Sequence, residues 1–136
     1  MRVFLDANIL FSAARADGAM RTLLTLLRGR SHLLVASQSV LIEASRNLER
    51  KATAVALSDL DAIQSTLEIS NREHGDRSAT HTAWLPTKDR HVLAAAIALK
   101  CDALITGDKT HFGSGYGERF GNVLILSPRM AAETLL

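Results

Sequence analysis

Short apolar runs and helix-spaced apolar stripes alternate along the chain. Arg2 to Leu5 predicts a buried strand with Asp6 at its carboxyl end, and Leu33 to Ala36 predicts a second. Between them Asp17-Gly18 marks a turn, after which Leu23, Leu24, Leu26 and Leu27 recur at helical spacing up to a stop at Gly29. Ser37 or Ser39 caps a helix running to about Lys51. Ser58 caps another running to about Ser70, with Asp61 as its capping-box acid. Thr87 is a good N-cap for an Ala-rich helix from Lys88 to Lys100. Ala103 to Thr106 and Val123 to Leu126 predict two further strands, and Ser127-Pro128 opens a short terminal helix. Asn71 to Thr82 is polar and irregular, the best candidate for a mobile loop, and Gly113 to Gly117 reads as a flexible segment. Strands alternating with helices predict an α/β sandwich around a mostly parallel sheet, in which ligands bind beyond the carboxyl ends of the strands.

With 136 residues and 47% hydrophobic content the chain suits a single domain spanning 1–136. Its longest apolar run, Val92 to Leu99, is far short of the roughly 20 residues of a membrane span. Asp6 interrupts the apolar start that would otherwise imitate a secretion signal. A lone cysteine, Cys101, permits neither an internal disulfide nor a cysteine zinc site, and a reducing cytoplasm fits best. The formal charge is only +2, but Arg21, Arg28, Arg30, Arg46, Arg50 and Lys51 face only Glu43 and Glu49 over positions 21 to 51. A polyanionic partner is consistent with that excess, as is an ordinary solvated helix face.

Four acids carry the candidate chemistry. Asp6 and Asp108 each follow a buried strand and therefore meet at one rim of the sheet, although an aspartate there also serves as a turn residue or helix cap. Asp89, in the first turn of its helix, shares a face with Val92, Leu93 and Ala96 and points inward. Glu43 lies on the flank of the stripe Val40, Leu41, Ala44 and Leu48, as does Asn47; a pairing with Arg46 or Arg50 is its alternative reading. Carboxylates gathered in a cleft repel one another unless a cation neutralises them. All-oxygen donors select Mg²⁺ or Mn²⁺, ions suited to phosphodiester hydrolysis.

Val3 to Leu10, Glu43 within Leu41-Ile42-Glu43-Ala44, Lys88-Asp89-Arg90 and Leu104 to Asp108 together resemble the PIN-domain ribonucleases, in particular the VapC-type toxins of toxin–antitoxin pairs. The resemblance covers nearly the whole chain. It implies a Rossmann-like, three-layer α/β/α sandwich of four to five strands and a Mg²⁺- or Mn²⁺-dependent endonuclease acting on single-stranded RNA. It also implies a cognate antitoxin and a homodimer. By motif position Asp6, Glu43, Asp89 and Asp108 look like the metal-binding and catalytic acids, with Asn8 and Thr106 as supporting polar residues. Many members carry a further acid after the last aspartate, whereas this chain continues Lys109-Thr110-His111-Phe112, which puts a tightly held second metal in doubt. Lys109 and His111 stay outside the expected catalytic set. A non-catalytic module that binds RNA or protein is the alternative function, and the absence of D-x-D at Asp6 (position 8 is Asn) leaves little support for an aspartyl-phosphate enzyme. The histidines show no paired ligand spacing, no serine sits in a nucleophile elbow, and six aromatics are too few for a base-stacking platform.

Overall fold

The most apolar segments form the middle of one sheet, as strands covered on both faces require. A computed structural model describes residues 1–51, 53–72 and 79–136. Among these, the strands are β1 (Arg2–Leu5), β2 (Leu33–Ser37), β3 (Glu68–Ser70), β4 (Ala103–Ile105), β5 (Arg119–Phe120) and β6 (Val123–Leu126). They form one sheet in the order β3-β2-β1-β4-β6-β5, in which only the β5 and β6 pairing is antiparallel. Helices α1 (Ala7–Arg15), α2 (Ala19–Gly29), α3 (Gln38–Lys51), α4 (Ala54–Gln64), α5 (Ala79–Thr82), α6 (Arg90–Ala98), α7 (Lys109–Phe112) and α8 (Pro128–Leu135) complete a three-layer α/β/α sandwich. Val3, Phe4 and Leu5 of β1 and Leu104 and Ile105 of β4 are fully buried, and the core extends from them to Ile9, Leu27, Leu93 and Phe112.

Several expectations need correction. Six strands are present among the described residues rather than four to five; the additions, β3 and β5, are edge strands of two or three residues, too short to show a period. Helix α1 was not foreseen, although Asp6 caps it by accepting the Ala7 N–H. The helix expected from Ser58 to Ser70 begins and ends earlier, at Ala54 and Gln64, so Ser58 lies inside it and Glu68–Ser70 turns into the sheet. That strand is anchored by Arg2, whose guanidinium lies 2.6 Å from Glu68. Of the two proposed caps for α3, Ser37 is the one whose hydroxyl accepts the Val40 N–H. Thr87 does not cap a long helix: Pro86 precedes a 3₁₀ turn, Thr87–Asp89, and α6 starts only at Arg90. Leu26 is half exposed, while Leu23, Leu24 and Leu27 are buried as expected. The expected mobile loop, 71–82, falls partly outside the described residues, and its end, Ala79–Thr82, is helical. Gly113–Gly115 is a 3₁₀ turn with Gly115 buried, and is not an open segment.

The order of the sheet locates the site. From β1 the chain builds outward through β2 and β3, then returns to the other side of β1 as β4. A crevice opens at such a switch point beyond the strand ends. Leu5 pairs with Ile105 in parallel register, and Asp6 N–H donates to the Ile105 carbonyl at 3.1 Å, so the residues after both strands leave the sheet together.

Gly115 matters because of Trp84. The indole stacks on Phe120 at 4.8 Å, meets Phe112 edge-on at 6.2 Å and donates from Nε1 to the His81 carbonyl at 2.7 Å, so it cannot swing aside. A Cβ on Gly115 would stand 2.6 Å from Trp84 Cη2 and 3.3 Å from Ile125 Cδ1. Gly115→Ala should therefore lower stability by about 1–3 kcal/mol, read as a lower urea midpoint; an unchanged or higher midpoint would show that the pocket yields.

Candidate active site

Asp6 is nine-tenths buried, yet its carboxylate is well partnered. Oδ1 accepts the Ala7 N–H at 2.7 Å; Oδ2 accepts the Thr106 hydroxyl at 2.8 Å and the Asn8 amide at 3.2 Å. Asn8 Oδ1 in turn accepts the Gly107 N–H at 2.7 Å, and Thr106 Oγ1 accepts the Asp108 N–H at 3.2 Å. These bonds tie the start of α1 to the loop after β4. Tyr116 closes the loop from outside by donating its hydroxyl to the Thr106 carbonyl at 2.8 Å. Burial raises the phenol above its usual value, assisted by the charges of Asp108 and Asp6, so it stays a neutral donor.

Asp108 caps α7, its Oδ1 accepting the His111 N–H at 3.2 Å, and the single turn brings the His111 ring back so that Nδ1 lies 2.7 Å from Asp108 Oδ2. The same nitrogen lies 3.3 Å from Asp89 Oδ2. Asp89 occupies the N-cap position of α6 but makes no capping bond, and its Oδ2 is buried without a hydrogen-bond partner. Arg90 fixes this corner by donating to the carbonyls of Leu85 and Ala83, at 3.0 and 3.2 Å. Glu43 extends from α3 on the flank of its buried stripe; it is exposed, and no ion pair joins it to Arg46 or Arg50 among the described residues.

All four acids line one cleft of ≈ 270 Å³, with Asn8, Asn47, Lys51 and Lys88 on its walls. Thr106 stands behind it, buried. Burial raises the Asp6 carboxyl above its ordinary 3.8; hydrogen bonds from Thr106 and Ala7 oppose this, and the charges of Glu43 and Asp89 add to it. The donor set suits a hard divalent cation, and the Asp89 oxygen that accepts no hydrogen bond has lone pairs to offer one. Among the described residues, Asp89, Asp108 and His111 form a group whose ligand atoms all lie within 4.8 Å of one another. His111 was the residue that sequence reasoning left out. Its signal was the spacing Asp108 to His111, since a capped turn places residue i+3 back over its cap. Among the described residues two other features are poor rivals: burial pushes the Cys101 thiol up to about 12, and a groove of ≈ 220 Å³ between α2 and α4 holds a single acid, Asp59, already paired with Arg21 at 3.1 Å.

Residues 2–110 match the family model described as PIN domain. The chain belongs to that family. Three solved structures share the fold of this PIN domain. VapBC2 from Rickettsia felis, bound to a DNA fragment from its promoter, has a TM-score of 0.66 at 21% identity, covering 93% of this chain and 98% of that one. VapBC-1 from nontypeable Haemophilus influenzae gives 0.60 at 14% identity, covering 95% and 99%. Mycobacterium tuberculosis VapC20, a Sarcin-Ricin loop cleaving toxin, gives 0.58 at 17% identity, covering 86% and 98%. No curated protein sequence matches the chain at a significant level.

The electrostatics of the PIN domain cleft carry a stability signature. A carboxyl that holds its proton more tightly when folded than when unfolded makes the folded state lose stability as pH rises above the unfolded value. For Asp6 that loss begins near the ordinary 3.8 and is complete above its raised folded value. In EDTA, the melting temperature of Asp6→Asn relative to the wild type should rise between pH 4 and pH 7.5, because only the aspartate must ionise in its buried place. A difference that is independent of pH, or that moves the other way, would contradict the assigned burial effect.

Proposed function

We propose that this PIN domain, acting as a single domain over 1–136, is a divalent-metal-dependent endoribonuclease that cleaves single-stranded RNA and serves as the toxin of a toxin–antitoxin pair. One observation carries the reading: carboxylates from four separate elements line a single cleft, and one of their oxygens is buried without a hydrogen-bond partner. Such a grouping is electrostatically unfavourable without a cation. Asp6, Glu43, Asp89 and Asp108 would hold Mg²⁺ or Mn²⁺, and Asn8 and Thr106 would fix the Asp6 carboxylate. When bound, the ion supplies Lewis-acid stabilisation of phosphodiester charge and makes water a stronger nucleophile near neutral pH.

The chain's own groups would do the rest. Lys51 and Lys88, on the cleft wall, would draw in the RNA backbone and hold a phosphate against the acids. The apolar support behind Asp6 and Asp108 would keep their geometry fixed while substrate enters. A cytoplasmic setting, a cognate antitoxin partner and a homodimer complete the proposal; the fold shared with VapBC2 and VapBC-1 supports the antitoxin partner, and the fold shared with VapC20 supports RNA as the substrate class.

Purified protein should cut single-stranded RNA in Mn²⁺, stop in EDTA, and lose about 100-fold or more of its rate in Asp6→Asn. Cleavage that survives both treatments would overturn the proposal. RNA binding that weakens with salt, persists in EDTA and never leads to cleavage would instead establish a non-catalytic binding module.

A further inference from the structure

We infer that His111 supplies a nitrogen ligand to the ion held by Asp89 and Asp108, and that it biases this site toward Mn²⁺ over Mg²⁺; the inference rests on the metal-site reading above.

Three observations converge on it. His111 Nδ1 lies 2.7 Å from Asp108 Oδ2 and 3.3 Å from Asp89 Oδ2. An ion with bonds of about 2.1 Å and octahedral geometry sets neighbouring donors about 3.0 Å apart, and the two distances bracket that value. The Asp89 oxygen in this trio is the buried one that lacks a hydrogen-bond partner: although His111 Nδ1 is near, its alignment serves Asp108 instead. One imidazole proton therefore cannot satisfy both carboxylates, whereas one ion between three donors can.

The placement of the ring also speaks against the simplest rival. Lys51 and Lys88 lie on the cleft wall, whereas the His111 imidazole is held against the carboxylates of Asp108 and Asp89. Two carboxylates beside the ring would repel a phosphate there and attract a cation. The backbone keeps the ring there, because the Asp108 cap that starts α7 accepts the N–H of His111 itself. Carboxylates serve Mg²⁺ and Mn²⁺ alike, whereas imidazole favours transition ions, so the nitrogen is the donor that would separate the two metals.

Pulsed electron paramagnetic resonance on the full chain loaded with Mn²⁺ alone tests this without any assay of activity. The wild type should show the coupling of a directly bonded imidazole nitrogen, and His111→Ala should lose it. Calorimetric titration should find Mn²⁺ affinity reduced about tenfold or more in His111→Ala, with Mg²⁺ affinity changed by less than about threefold, so that the preference shrinks. Bound Mn²⁺ without nitrogen coupling in the wild type would overturn the inference and leave the acidic metal site standing. Coupling that persists in His111→Ala, or affinity that rises, would overturn it too. A wild type that binds no Mn²⁺ at all would overturn both readings. The wild-type spectrum needs no variant to fold, so the inference remains open to refutation even if His111→Ala proves unstable.

Discussion

Parallel pairing of β1 with β4 is the constraint on which the rest depends. Because Leu5 stands opposite Ile105, the next residue on each strand, Asp6 and Thr106, leaves the sheet at the same level, and the Thr106 hydroxyl reaches Asp6 Oδ2 at 2.8 Å. Asn8 and the backbone N–H of Gly107 complete a small polar lattice above the buried residues of two strands. A one-residue slip would turn Asp6 and its partner away from each other and leave a buried carboxylate without donors, which low-dielectric surroundings penalise heavily. The register of the core and the geometry of the cleft are thus one specification.

The same arrangement creates a conflict that the fold does not resolve by itself. Desolvation and the nearby charges of Glu43 and Asp89 disfavour the ionised form of Asp6, while its hydrogen bonds favour it. Asp89 keeps a buried oxygen that accepts no hydrogen bond, although His111 Nδ1 stands 3.3 Å away. Unresolved polar groups of this kind are rare in folded proteins and concentrate where a ligand is expected. Neighbouring features are by contrast partnered: Arg90 closes its corner through two carbonyls, and Trp84 is fixed by two rings and a hydrogen bond.

The sequence made the central strands and the rim acids legible because both have a simple signal: a run of apolar residues followed at once by an aspartate. Asp6 and Asp108 turned out to be helix caps as well, so the bland reading and the functional one describe the same residues. Asp89 differs, since it makes no cap bond and turns inward as its helical spacing suggested. What the pattern hid was decided by tertiary contact. Strand β3 is defined by its pairing along the edge of β2, with the Arg2–Glu68 pair as a surface contact, and nothing local in Glu68–Ser70 announces a strand. Likewise His111 gains its meaning only once the α7 turn folds it back onto two carboxylates contributed by different segments.

The central claim is that a doubly charged ion belongs among the carboxylates of the cleft. Crystals soaked in Mn²⁺, with X-ray data collected for anomalous scattering, test it most directly. The account predicts an anomalous peak inside the cleft lined by Asp6, Glu43, Asp89 and Asp108, within bonding distance of carboxylate oxygens. A cleft without such a peak at millimolar Mn²⁺, with those side chains turned out to solvent, would contradict it.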